Sequence, residues 1–313
     1  MVASSDQVVL LTEAPPAAVR VAVVTGANSG LGLEACRVLA RRGFEVVMCC
    51  RTVSKGEEAA EELRKQDTSA QLSVMALDVS SLHSVERFCA AYRASGRRLD
   101  VLLCNAGMMM GPRRVSADGC ELQLATNYLG HFHMISSLLA LLKSCGTEAH
   151  CSRIIHVASI AARLGSINLA DMMHEKGRYN SQACYSASKL AQVVHAQELA
   201  RRLRAEGCRT VTVNSLEPGI VNTNLSAGIT DDPAMAARLR NGLTVEEGAR
   251  THVFLAASAA VEGVAGKHFV QCRAISTTPY CSTFLLASRS LRPRMAGKLW
   301  AWTERLIAEK LAA

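Results

Sequence analysis

A glycine-rich turn between an apolar run and a helical pattern constrains this chain more than any other feature. Residues 19–24 read as a buried strand. Thr25-Gly26-Ala27-Asn28-Ser29-Gly30-Leu31-Gly32 follows as a tight turn, and residues 31–42 read as a helix. Gly26 supplies a bend that a side chain would obstruct. Gly30 and Gly32 let a pyrophosphate approach the backbone and let the helix pack close to its strand. The free N–H groups and positive end of the helix then face the anion.

Beyond the turn the two periodicities alternate. Strands are expected at residues 45–50, 71–77, 99–104, 153–158, 210–216 and 267–270. Helices are expected at residues 54–65, capped by Ser54 with Glu57 three residues on, and 81–94, capped by Ser80 or Ser81. Further helices are expected at 119–143, 184–205, 244–257 with a Thr244/Glu247 capping box, and 296–311. Strands apolar on both faces and separated by helices indicate a parallel sheet covered on both sides. Its right-handed crossovers make it doubly wound. The fold class is therefore α/β: one doubly wound parallel sheet with helices on both faces and a C-terminal helical extension. Residues 1–18 read as a flexible leader, 19–273 as a dinucleotide-binding and catalytic domain, and 274–313 as an extension packed on the same domain.

Ligands in such a sheet sit beyond the carboxyl ends of the strands. The residues there are Gly26 to Gly32, Arg51, Asp78, Asn105-Ala106-Gly107, Ser159 and Pro218-Gly219.

Composition narrows the function classes. The chain is 49% hydrophobic and 20% charged, which supports a sizeable core and argues against wholesale disorder. Its apolar runs are too short to span a bilayer, and no signal-peptide pattern opens it, so a cytoplasmic location is expected. Twelve cysteines without a Cys-x-x-Cys pair or zinc-ligand spacing read as buried thiols, so neither disulfide nor metal is expected. The net charge of +8 suits an anionic cofactor. Only 4% of residues are aromatic and no basic stripe interleaves with them, so nucleic acid is not an expected partner. The basic stretch at 289–298 leaves weak membrane-surface association open.

Tyr185 and Lys189 lie four apart on an expected helix and so share a face. A neighbouring ammonium stabilises a phenolate, which brings tyrosine toward useful acid–base chemistry near neutral pH. Of the five tyrosines, Tyr185 alone has a lysine at that spacing. Ser159 follows a strand and places a hydroxyl at the same sheet edge, without the Gly-x-Ser-x-Gly elbow of an acyl-transfer nucleophile.

Taken together, these residues resemble the short-chain dehydrogenase/reductase family, with most similarity to its retinol dehydrogenase-like group. The resemblance rests on Gly26, Gly30 and Gly32, on Tyr185 and Lys189, on Ser159, and on Asn127 within Asn127-Tyr128-Leu129-Gly130-His131-Phe132. Asn105-Ala106-Gly107, Pro218-Gly219 with Val221 and Thr223, and the end Lys298-Leu299-Trp300 also match. The resemblance covers roughly residues 19–270 and implies a Rossmann fold. It implies that Tyr185 exchanges a proton with the substrate oxygen and that Lys189 lowers the Tyr185 pKa and bonds the nicotinamide ribose. Ser159 would orient the substrate oxygen, and Asn127 would hold a water that relays protons to Lys189. Gly26, Asn28, Ser29, Gly30, Leu31, Gly32, Arg51, Asp78, Val79, Asn105, Ala106, Gly107, Tyr185, Lys189, Pro218, Gly219, Val221 and Thr223 would contact the cofactor. His131 reads as a packed helix residue.

The second strand is followed by Arg51, with no acid at its end. A guanidinium there suits a ribose 2′-phosphate and a carboxylate would repel one, so NADP(H) is preferred, with NAD(H) second. The sequence departs from the family pattern at Cys104 and Ala158, where asparagine and serine are usual. Met108 to Met110 and Met172-Met173-His174 read equally as pocket lining or as core.

The expected function is interconversion of a lipophilic alcohol and its aldehyde or ketone. Two alternatives stand beside it: ring-double-bond reduction of the protochlorophyllide reductase type, and a non-catalytic NADPH-binding regulatory or scaffold protein. Homodimer and monomer are both compatible with the sequence.

Overall fold

The computed structural model describes residues 19–109, 111–221, 241–277, 284, 287 and 289–313. The expected leader, Met110, Thr223 and the turn that Asp231-Asp232-Pro233 predicts lie outside them.

Among the described residues, eight strands form one sheet in the order β3-β2-β1-β4-β5-β6-β7-β8. They are β1 (Val21–Thr25), β2 (Glu45–Cys50), β3 (Leu72–Ala76), β4 (Val101–Cys104), β5 (Ser152–Val157), β6 (Val211–Glu217), β7 (His268–Val270) and β8 (Arg273–Ile275). Pairing is parallel except between β7 and β8, which join antiparallel through Gln271 and Cys272, both at positive φ. Sequence patterning missed β8. Its three residues are exposed or half-buried, and a strand at the edge of a sheet needs no apolar run.

Alternation along each strand sends side chains to two cores. Val21 and Val23 of β1, with Leu102 and Cys104 of β4, face a cluster completed by α3 (Leu82–Ala94), α5 (Gly130–Cys145) and α6 (Ser181–Ala205). Ala22, Val24, Val101 and Leu103 face the opposite cluster, closed by α1 (Gly30–Arg41), α2 (Val53–Gln66) and α7 (Val245–Ala257). The sheet is thus covered on both faces, as its apolar strands require.

Helix ends mostly follow the expected chemistry. Thr244 and Glu247 make a reciprocal capping box on α7, and Ser81 Oγ accepts from Ser84 N at 3.3 Å to cap α3. The expected Ser54 cap of α2 is corrected to Thr52, because the helix already begins at Val53. Asn180 caps α6 at 2.9 Å from Ala183 N, so that helix starts three residues before the expected Cys184.

The long helix expected at 119–143 is instead interrupted. A short α4 (Leu122–Leu124) runs into a π-helical turn, Ala125–Leu129, and then into α5. Periodicity cannot register one widened turn, yet such turns re-aim side chains and recur at functional sites.

The last helix, α8 (Pro293–Ala312), buries Leu299, Thr303 and Ile307 against the domain. Tyr128 Oη and Thr303 Oγ1 are 2.9 Å apart, and Arg202 sits 4.2 Å over the Trp300 ring. Its apolar face is thereby committed to α5 and α6. Among the described residues no helix is long and apolar enough to cross a membrane.

One glycine fixes how close α5 approaches the sheet. A Cβ on Gly130 would lie 1.8 Å from the Val79 carbonyl oxygen, and no side-chain motion can relieve a clash with backbone. Gly130→Ala is expected to destabilise the protein by about 3 kcal/mol, the upper part of the overpacking range. Chemical denaturation checks this, and a loss below about 0.5 kcal/mol would show that the helix shifts freely.

Candidate active site

The carboxyl ends of the parallel strands lie level. Thr25 pairs with Cys49, Cys50 with Ala76, Cys104 with His156, and Val157 with Leu216. The residues that follow therefore form one row: the glycine turn after β1, Arg51 after β2, Asp78 after β3, Asn105-Ala106-Gly107 after β4, Ser159 after β5 and Pro218-Gly219 after β6.

The glycine turn is closed tightly. Gly26 N donates to Cys49 O at 2.9 Å, with Gly26 at φ +64° and Gly30 at φ +54°. A Cβ on Gly26 would meet Ala106 Cα at 2.9 Å, and one on Gly32 would meet Asn105 Nδ2 and Gly26 O at 2.4 Å. Only hydrogen fits at both positions, so the turn, α1 and the segment after β4 form one compact unit. Ser29 is the N-cap of α1 but makes no side-chain hydrogen bond to the first turn, so its hydroxyl does not occupy the N–H groups there, beside Asn28 and Leu31. This arrangement fits a pyrophosphate.

Thr25 holds the unit together, a role the sequence reading did not assign. Its Oγ1 accepts from Asn105 N and Ala106 N, each at 2.9 Å, and lies 2.9 Å from His131 Nε2. Asn105 Nδ2 donates to Thr25 O at 2.8 Å. A hydroxyl directly before Gly26, where an apolar strand ends, is the signal that would have pointed to it.

Around this cradle, Arg51 and Gly219 are exposed, Gly219 at φ +89°, while Val221 is buried and bridges to Leu243. Asp78 Oδ1 accepts from Ser80 N at 2.9 Å and Ser80 Oγ at 2.7 Å, and Val79 is buried. Lys55 is exposed, and Met172 is buried in the core cluster that also holds Leu190.

The four candidate catalytic residues come from three segments. Asn127 belongs to the π-helical turn, Ser159 caps a 3-10 helix (Ile160–Leu164), and Tyr185 and Lys189 share one face of α6. Lys189 Nζ donates to Val157 O at 2.8 Å and lies 5.9 Å from the Tyr185 ring centroid. A Cβ on Gly107 would stand 3.2 Å from Asn127 Oδ1 and 3.3 Å from Lys189 Nζ, so both polar groups border Gly107. Asn127 Nδ2 donates to Met108 O at 3.0 Å and Ser188 Oγ at 2.9 Å, and Asn127 Oδ1 accepts from Met108 N at 2.8 Å. Ser188 Oγ in turn donates to Tyr185 O at 2.8 Å.

Electrostatics depart from one expectation. Lys189 was expected to draw the Tyr185 pKa down, but burial of the phenol pushes it up, and the adjacent Ser159 hydroxyl provides the opposing pull. Lys189 is buried as well, and burial lowers its own pKa to about 7. An amine that is partly neutral near neutral pH exerts less pull on a phenol.

That burial carries a stability cost with a definite sign. Folded Lys189 holds its proton less tightly than the unfolded chain, so the cost is fully present below about pH 7 and fades as pH rises toward 10.5. Lys189→Met is expected to stabilise the protein by about 1–3 kcal/mol at pH 6, with a smaller gap at pH 9. Thermal unfolding at the two pH values measures this; a variant no more stable than wild type at pH 6 contradicts it.

Known proteins resemble this chain in sequence and in fold. The sequence profile of the short chain dehydrogenases matches residues 20–234. Retinol dehydrogenase 14 of Mus musculus is 40% identical over 301 residues, covering 91% of this chain and 85% of that protein. A crystal structure of an uncharacterised Mycobacterium paratuberculosis protein superposes with a TM-score of 0.72 at 32% identity, covering 94% of this chain and 95% of that one. The Pseudomonas aeruginosa RhlG/NADP active-site complex superposes with a TM-score of 0.64 at 25% identity, covering 80% of this chain and 93% of that one. The chain belongs to the short chain dehydrogenase family, a family of nicotinamide-dependent oxidoreductases.

Proposed function

We propose that this protein is an NADP(H)-preferring oxidoreductase that interconverts a lipophilic alcohol and its aldehyde or ketone. One observation carries the reading. A buried phenol at Tyr185 adjoins the Ser159 hydroxyl and stands one helical turn before the buried amine of Lys189, at the strand edge that also bears the glycine cradle. The likeness to retinol dehydrogenase 14 and to the RhlG/NADP complex supports the substrate class and the cofactor.

The cradle of Gly26, Asn28, Ser29, Gly30, Leu31 and Gly32 would hold the pyrophosphate, with Asp78 and Val79 toward the adenine. Asn105, Ala106, Gly107, Pro218, Gly219, Val221 and Thr223 would lie along the nicotinamide side. The bound dinucleotide supplies or accepts the hydride.

The chain's own residues then manage the oxygen and its proton. Ser159 Oγ–H donates to the substrate oxygen and fixes it beside Tyr185. Tyr185 donates its phenolic proton to that oxygen in the reductive direction and takes it back in the oxidative one. In the reductive direction Tyr185 starts protonated, since burial holds its pKa above the ordinary phenol value. Lys189, near its own midpoint, replaces the lost proton and bonds the ribose hydroxyls. Asn127 borders Lys189 across Gly107 and is the relay group toward solvent.

Arg51 gives the preference for the phosphorylated cofactor. It is exposed at the carboxyl end of β2, two residues beyond Cys49, whose carbonyl accepts from Gly26 N. A guanidinium at that place forms paired hydrogen bonds to a phosphate, which a carboxylate cannot do.

Tyr185→Phe is expected to lower kcat by at least about 100-fold while NADPH affinity stays within about threefold. A protein that binds without turnover would lose no activity, so equal rates for wild type and variant sink the enzymatic reading. Arg51→Asp is expected to move the NADPH/NADH ratio of kcat/KM toward NADH by about 10- to 100-fold, the loss of one charge-assisted pair and gain of a repulsion. An unchanged ratio places the selection elsewhere.

A further inference from the structure

His131 lies wholly inside the protein, between the cradle and the catalytic candidates, and both its ring nitrogens have partners. Nδ1 is 3.2 Å from Asn127 O, and Nε2 is 2.9 Å from Thr25 Oγ1. A carbonyl can only accept, so the ring proton sits on Nδ1. Burial pushes the His131 pKa down to about 4, so the ring carries one proton and Nε2 is a bare acceptor. Thr25 Oγ1 already accepts from Asn105 N and Ala106 N, so its own proton points to Nε2, the nearer choice than Leu103 O at 3.4 Å. Every hydrogen bond in the chain thus has one direction: the two amides donate to Thr25, Thr25 to His131, and His131 to the Asn127 carbonyl.

We infer that His131 is a positioning residue that couples the phosphate-binding turn at Thr25 to the main-chain carbonyl of Asn127. This rests on the oxidoreductase reading above and deepens it. The π-helical turn at Ala125–Leu129 sets Asn127 away from regular helical geometry, and the His131 ring one turn on pins its carbonyl. Asn127 is also bonded to Met108 and Ser188, and Ser188 to the Tyr185 carbonyl. An adjustment of the turn around the pyrophosphate is therefore transmitted through one rigid ring to the residue beside Lys189. Packing alone does not account for this, since an apolar ring fills the same space without linking the two sides.

The two halves of the ring can be tested apart. Glutamine sets its amide near the Nε2 position and keeps an acceptor for Thr25, whereas asparagine sets its amide near Nδ1 and keeps a donor for Asn127. The measurements are NADPH affinity by fluorescence titration, and kcat with nonanal at saturating NADPH. His131→Gln should hold NADPH affinity within about threefold and lower kcat by about tenfold, the usual consequence of leaving one buried partner unpaired. His131→Asn should do the reverse, weakening NADPH by about tenfold with kcat kept within about threefold. Thr25→Val combined with His131→Asn should weaken NADPH no more than Thr25→Val alone, because both act on one bond.

Variants that alter both constants equally, or neither, reduce His131 to packing and overturn the proposal. If the variants fail to fold by circular dichroism, nitrogen-labelled histidine spectra of wild type, assigned with Thr25→Ser, decide the matter. A ring protonated on Nδ1 and non-titrating down to pH 5 supports the relay; protonation on Nε2 overturns it. A wild type that retains no NADPH ends the oxidoreductase reading itself, while a wild type that binds and turns over with unsplit variants ends this inference alone.

Discussion

The level ending of the parallel strands is the constraint on which the rest of the molecule depends. Parallel pairing offsets each strand by a whole crossover, so residues far apart in sequence arrive at one edge only if every strand stops in step. Here β1 to β6 do so, and the segments after them carry polar groups and glycines. The helices satisfy the two apolar faces, which leaves that edge as the natural home for a ligand. Binding groups from the first half of the chain and reactive groups from the second half then meet.

Polarity inside such a crevice is expensive and is tolerated where each group is held by others. Lys189 surrenders much of its charge on burial, and a backbone carbonyl of β5 takes its hydrogen bond. Asn127 fills its amide with Met108 and Ser188, and Thr25 fills its hydroxyl with two amides and a ring nitrogen. Networks satisfied in this way are rigid, because moving one member unpairs several. Rigidity of that kind matters where an oxygen must be presented to a proton donor within a few tenths of an ångström.

Much of this was legible in the residues. The glycine turn, the Tyr185/Lys189 spacing and the Thr244/Glu247 cap are local patterns whose meaning depends on a few neighbours, and the alternating periodicities gave the sheet and its layers. What the chain hid is what depends on distant partners. Thr25 is an ordinary strand-end threonine until Asn105, Ala106 and His131 are brought around it. His131 reads as one more packed helix residue, since its two hydrogen bonds need a turn 106 positions away and a π-helical neighbour. The π turn itself keeps the apolar pattern of an ordinary helix. The extra strand β8 is short and polar, so only its pairing with β7 reveals it. The Thr52 cap of α2 was missed because two possible caps lie two residues apart and propensity does not separate them.

The final helix has a consequence for how the protein is made. Tyr128 and Thr303 touch across 175 positions, and Trp300 stacks on His195 and packs edge-on to Phe132. While the polypeptide is still emerging from the ribosome, the outer faces of α5 and α6 are finished but bare, and they stay so until residues 293–312 have been translated. Vectorial synthesis therefore leaves a greasy, aromatic-lined shelf uncovered between the translation of α6 and that of the final helix. The nascent chain's most aggregation-sensitive interval comes late, after the dinucleotide-side half has been completed, and ends when the last helix settles over that shelf.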